Sequence, residues 1–131
     1  MGLRILVVED EPTILDLVAQ LLVEEGHHVT RAANGADGLE AVSAGPAFDL
    51  VVLDMWMPVV NGWQFAAALG ERGVEVPLLV MTAASEARAR AIDVGAIGFI
   101  GKPFDVDQLV QAVRTAVPSG DGERGGNTSP I

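Results

Sequence analysis

The chain has 131 residues, half of them hydrophobic, no cysteine and a formal net charge of −10. That size suits one domain with a proper core, and the apolar content excludes disorder of the whole chain. Lack of cysteine excludes disulfides, thiolate metal sites and cysteine nucleophiles, and the acidity argues against direct nucleic-acid binding, which concentrates Lys and Arg. No apolar run approaches the roughly 18–20 residues of a membrane span, so no membrane association is expected. The opening Met1–Val8 runs straight into Glu9, Asp10 and Glu11 without a cleavage site, so the chain reads as soluble and cytoplasmic.

In chain order, Ile5–Val8 is a short apolar run that reads as a buried strand, and the acids Glu9, Asp10 and Glu11 follow it. A helix comes next. Pro12 suits its first turn, Ile14, Leu15, Val18, Leu21 and Leu22 form one stripe, and Gly26 suits its end. His27 and His28 fall in the turn that follows and read as surface-loop residues, not as a phosphotransfer or metal site. A weaker strand covers Val29–Ala33. The run Leu50–Leu53 suits a parallel strand covered on both faces, and Asp54 follows it directly. Met57-Pro58 and Asn61-Gly62 make the next turn, and Trp63 and Phe65 read as packing residues of the third helix.

Leu78–Met81 is the fourth strand, followed by Thr82-Ala83. Ile97–Ile100 is the fifth, followed by Lys102-Pro103. Lys102 is the sole lysine among eight basic residues. Asp105 suits an N-cap for a last helix in which Val106, Leu109, Val110, Val113 and Val117 recur at helical spacing. From Pro118 to Ile131 the composition turns to Gly, Ser, Pro and charge, which reads as a flexible tail or a truncated linker. The expected organisation is one domain over 1–117 and a tail over 118–131.

Five alternations of strand and helix imply an α/β fold, a doubly wound parallel sheet of five strands with helices on both faces. Such sheets place their sites outside the carboxyl ends of the strands. There the chain sets carboxylates after strands one and three, a hydroxyl after strand four and an ammonium after strand five. Clustered carboxylates raise one another's pKa unless a cation sits among them, and an open set of oxygen ligands favours Mg²⁺. Glu9, Asp10 and Glu11 taken singly are also ordinary first-turn acids of a helix. Their conjunction with Asp54, Thr82 and Lys102 is what points to a site.

That set resembles the receiver domain of bacterial response regulators. The likeness rests on Val8-Glu9-Asp10-Glu11, on Asp54 with Met57-Pro58 and Gly62, on Thr82-Ala83 and on Lys102-Pro103-Phe104, and it spans roughly residues 3–117. The resemblance implies a flavodoxin-like (βα)5 fold in which Asp54 is the phosphoacceptor. It implies Mg²⁺ on Asp10, Asp54 and the main-chain carbonyl of Trp56, with Glu9 holding the metal through water. Thr82 and Lys102 would contact phosphoryl oxygens, Phe99 would be the switch aromatic, and the Lys102-Pro103 peptide would be cis. The phosphoryl donor would be a histidine kinase or a histidine phosphotransfer protein. The readout would be a surface of the fourth helix, fifth strand and fifth helix, open to an output partner or a dimer. The domain would be a phosphorelay signalling switch and not a turnover enzyme.

Departures from the family pattern are visible. Phe99 lacks the commoner tyrosine hydroxyl, Ile97-Gly98 replaces acidic residues used in a charge-latched dimer, and Trp56 is bulky, its indole expected beside the metal. Two rival functions fail on their motifs. A Toprim-like enzyme needs an Asp-x-Asp where the chain has Asp54-Met55-Trp56. A flavodoxin-like carrier needs a Ser/Thr- and Gly-rich phosphate loop where it has Glu9-Asp10-Glu11-Pro12. The alternative within the family is a degenerate receiver used as a docking module, against which Asp10, Asp54, Thr82 and Lys102 all count.

Overall fold

The computed structural model describes residues 2–117, so the expected tail over 118–131 lies outside the described residues. The strands are β1 (Arg4–Val8), β2 (His28–Ala32), β3 (Leu50–Asp54), β4 (Leu78–Ala83) and β5 (Gly98–Lys102). The helices are α1 (Pro12–Glu24), α2 (Gly35–Ala44), α3 (Gly62–Glu71), α4 (Ala87–Val94) and α5 (Val106–Ala116). Strand and helix alternate throughout, and the five strands form one parallel sheet in the order β2-β1-β3-β4-β5. This is the doubly wound fold expected from the apolar runs. The order reverses between β1 and β3, which opens a crevice at their carboxyl ends.

Alternate strand residues feed two cores. Ile5, Val7, Val52 and Met81 pack with Leu15, Val18 and Leu22 of α1 and with Leu109 and Val113 of α5. Leu6, Val8, Leu53 and Val80 pack on the other face with Phe65 and Leu69 of α3 and Ala91 of α4. All five residues of β3 are buried, as its unbroken apolar run requires.

Local signals explain most helix ends. Pro12 stands in the first turn of α1, and Gly26, at φ 94°, turns the chain after it. Asn61 and Asp105 each form a capping box, with Gln64 at α3 and Gln108 at α5. Helix α4 is closed at its far end by Gly95 at φ 66° but lacks such support at its start: its N-cap Glu86 makes no side-chain cap bond, and only Ala87 and Ala91 are fully buried.

Several boundaries differ from the expectation, for tertiary reasons. The second strand starts at His28 because its pairing with β1 begins at Arg4↔His28. The fifth strand drops Ile97 and extends to Lys102, since pairing with β4 runs from Leu79↔Gly98 to Ala83↔Lys102. Thr82 and Lys102 are therefore strand residues and not the first residues beyond. Val106 was expected on the buried stripe of the last helix, but it opens the first turn of α5 and is half exposed. No helix of the described residues is long and apolar enough to cross a membrane.

Candidate functional site

Each expected site residue stands where a strand delivers it. Glu9 leaves β1 with its N–H bonded to the Ala32 carbonyl at 3.1 Å, which carries the β1–β2 pairing one step further. Its side chain is 1% exposed. Asp54 ends β3, in register with Met81, and Thr82 sits one residue further along β4 opposite Gly101. Both Asp54 and Thr82 are buried. Lys102 ends β5 opposite Ala83, and its peptide to Pro103 is cis, as the resemblance implied.

The turn after Asp54 folds tightly on itself. Gly62 N–H donates to the Met55 carbonyl at 2.9 Å, and a Cβ on Gly62 would stand 2.8 Å from the Met55 Cα. Only glycine fits so close an approach, which is why Asn61-Gly62 closes this loop. A Cβ on Gly101 would likewise stand 2.6 Å from the Ala84 Cα, so the same holds where β5 passes the loop between β4 and α4.

The electrostatics centre on one lysine among acids. Carboxylate oxygens of Glu9, Asp10 and Asp54 lie within 4.8 Å of one another. Lys102 Nζ donates to Glu9 Oε1 at 2.7 Å and lies 3.5 Å from Asp54 Oδ1. Glu9 Oε2 also accepts the Glu11 N–H at 3.1 Å, and Asp54 Oδ1 accepts the Trp56 N–H at 3.4 Å. Burial first, and the Glu9 carboxylate second, push the Asp54 carboxyl up to about 7, against the opposing pull of Lys102 and the Trp56 N–H. One ammonium thus faces more negative charge than it can balance. This donor set fits a hard divalent cation, which would relieve the repulsion that raises Asp54.

The sequence leaves Lys102 two roles, a structural ion-pair partner or a ligand for phosphate oxygens, and favours the second without naming Glu9; the structure pairs it with Glu9. Its lone-lysine status was the one available signal. Phe99 is 40% exposed, two residues before Gly101 on β5, with the Arg88 guanidinium 5.4 Å from its ring centroid. The indole of Trp56, expected beside the metal, has two partners of its own. Its Nε1 donates to Glu86 Oε1 at 3.3 Å, and its ring meets Trp63 edge-on at 4.8 Å. His27 and His28 stay away from the acids: His27 Nδ1 accepts the Leu3 N–H at 3.0 Å, and His28 opens β2.

A parallel α/β sheet that gathers buried acids, a threonine and a lysine at its carboxyl edge defines a single-crevice module built around an ionisable aspartate. The chain belongs to the response regulator receiver domain family, whose pattern it matches over residues 5–114. It is 44% identical over 114 residues to the transcriptional regulatory protein PcoR of Escherichia coli, covering 86% of this chain and 50% of that one. The chain therefore spans about half the length of the curated relatives it matches. Its fold superposes on the receiver domain of NtrX from Brucella abortus with a TM-score of 0.79 at 32% identity, covering 88% of this chain and 99% of that one. The response regulator protein TrrA of Thermotoga maritima in complex with Mg(2+)-BeF gives 0.77 at 33% identity, covering 89% and 100%. The homologues are transcriptional response regulators, and the acidic pocket of Glu9, Asp10 and Asp54 fits the family's phosphorylation site.

Proposed function

We propose that this domain is a phosphoacceptor switch in which Asp54 takes a phosphoryl group, with Mg²⁺ required, from a histidine kinase or histidine phosphotransfer protein. The observation that carries the reading is a buried Asp54 carboxylate at the centre of an acid cluster whose one ammonium is Lys102. Asp10, Asp54 and the main-chain carbonyl of Trp56 would hold the metal, with Glu9 behind them through water. Bound there, Mg²⁺ supplies the positive charge that keeps Asp54 ionised and neutralises phosphoryl oxygens.

An Asp54 carboxylate oxygen attacks phosphorus, forming a P–O bond as the P–N bond of the phosphohistidine breaks. The imidazole nitrogen keeps that electron pair and takes up a proton. Phosphoryl transfer has a loose transition state, so the protein contributes position and charge. β3 fixes the nucleophile, Lys102 turns from Glu9 and Asp54 toward phosphoryl oxygens, and Thr82 donates its hydroxyl to one of them. Thr82 and Phe99 then move inward together, a population shift that alters the α4-β5-α5 face. Ile92, Ile97, Phe99 and Val106 are exposed apolar residues on or beside these elements, and they suit an output partner or a second copy. The domain acts as a cytoplasmic signalling switch and not as a turnover enzyme.

Acetyl phosphate with Mg²⁺ should add one phosphoryl group, read as a single mass shift, and Asp54→Asn should abolish it with the fold intact. Stoichiometric uptake by Asp54→Asn at another site would overturn the assignment. A pure docking module would take up no phosphate at all.

A further inference from the structure

Beyond the strand-borne residues, the loops at the crevice carry a second connected cluster that neither the acids nor the metal accounts for. Trp56 lies at its centre. Its main-chain N–H holds Asp54 Oδ1, and its indole N–H holds Glu86 Oε1, the residue that starts α4. The indole also meets Trp63 of α3 edge-on, at an interplanar angle of 68°. Trp63 Nε1 in turn donates to Asp93 Oδ2 at 3.0 Å, near the far end of α4. Arg90 closes the circuit. Its Nη1 lies 3.3 Å from Glu86, its Nε lies 2.9 Å from Asp93, and its guanidinium carbon stands 5.5 Å from the Trp63 ring centroid.

We infer that this cluster is a latch, with Trp56 as its pivot, that couples the state of the Asp54 carboxylate to the position of α4. It runs along a route separate from Thr82 and Phe99. The inference deepens the phosphoacceptor reading and rests on it.

Three observations carry it. First, the apolar anchoring of α4 is thin, because it fully buries only two alanines, with Val94 partly buried beside them, and it lacks a side-chain N-cap. Second, the latch spans both ends of that helix, through Glu86 and Asp93, and so restrains its position and not merely one turn. Third, one residue makes both the contact to the acceptor and the contact to α4, so nothing flexible intervenes. The Trp56 N–H to Asp54 distance of 3.4 Å is long for an N–H···O bond. A phosphoryl group on Asp54 brings stronger acceptors beside that N–H, and any turn of the Trp56 peptide swings its indole against Glu86 and Trp63. By reciprocity, whatever moves α4 also changes the environment of Asp54.

Hydrogen exchange of the α4 amides, read with and without acetyl phosphate and Mg²⁺, tests this, with Glu86→Ala and Trp63→Phe as the variants. Glu86→Ala removes no cap bond, and Trp63→Phe keeps a ring at the edge-on contact. In the unmodified protein each variant should speed α4 exchange by roughly fivefold, which corresponds to about 1 kcal/mol of local stability. In the phosphorylated protein, with the mass shift matching the parent, the phosphorylation-dependent change in α4 exchange should fall by half or more in both. A cluster that only packs α3 on α4 would raise the unmodified exchange and leave the phosphorylation-dependent change at the parental size, which overturns the coupling. Parental exchange rates in both unmodified variants overturn the latch itself. Failure of the parent to gain a phosphoryl group is a separate result that counts against the Asp54 reading alone.

Discussion

The two faces of the sheet are covered unequally. On one, α1 and α5 bring branched aliphatics down onto the strands, with Leu15, Val18, Leu22, Leu109 and Val113 all buried. On the other, α3 brings Phe65 and Leu69, but α4 buries only Ala87 and Ala91 and leaves Ile92 74% exposed. Burial stabilises by roughly 25 cal/mol per Å² of apolar surface, so a helix anchored by alanines is held weakly. Helix α5 also starts on a capping box where the start of α4 has no side-chain cap bond. The helix that follows the site strand β4 thus buries less apolar surface than α1, α3 or α5, which is what a switch requires.

Core truncation should break the symmetry most visibly. Leu109→Ala should lose about 2–5 kcal/mol, as buried leucines do. Ala91→Gly in α4 should lose only about 1 kcal/mol, the ordinary helix penalty. Urea denaturation of both variants checks this, and equal losses would show that α4 is anchored as firmly as α5.

Next in size is the cap of α5. Asp105 accepts the Gln108 N–H at 2.8 Å, and Asp105→Ala should lose about 1 kcal/mol. A melting temperature unchanged from the parent would mean that packing alone starts the helix.

The remaining effects concern pH, and they run in opposite senses at the two regions. His27, below its ordinary value mainly through burial, keeps Nδ1 free for the Leu3 N–H. Its unfolded imidazole binds a proton first, so its contribution is present above the usual pKa of about 6.5 and is lost as pH falls through it. Asp54 behaves inversely. Its folded pKa, raised to about 7, makes stability present below the usual carboxylate value and lost as pH rises through neutrality in metal-free buffer. Between pH 5.5 and 7 in chelator the two therefore oppose one another, and above pH 7 neither contributes a slope. Against the parental melting-temperature profile, Asp54→Asn should remove a component that falls as pH rises, and His27→Asn a component that rises with it. If either variant keeps the parental slope between pH 5.5 and 7, the assignment of that group is wrong.

Much of the site was legible because its residues sit at the ends of apolar runs. Leu50–Leu53 marks a strand by its hydropathy, so Asp54 is placed at its end without reference to any other part of the chain. The same local logic located Glu9, Asp10 and Thr82, and lone-lysine status singled out Lys102. Helix α4 was not legible, since Ala-Arg-Ala-Arg-Ala-Ile-Asp-Val has no stripe wide enough to announce a buried face. The latch was equally hidden, because Trp56 and Glu86 are thirty residues apart and neither forms a motif.

What the sequence by itself determined is the alternation of five strands and helices, the capped start of α5 and the set of groups that meet at the carboxyl edge. These follow from hydropathy, helical period and side-chain chemistry, all of which act over a few residues. Only the tertiary structure decided how those groups pair. Glu9 takes the lysine more closely than Asp54 does, Lys102 and Thr82 lie within their strands, and the Trp56 indole goes to Glu86 and Trp63. Partner choice depends on strand order and register, which bring residues ninety-three positions apart to 2.7 Å, and no local pattern carries that distance.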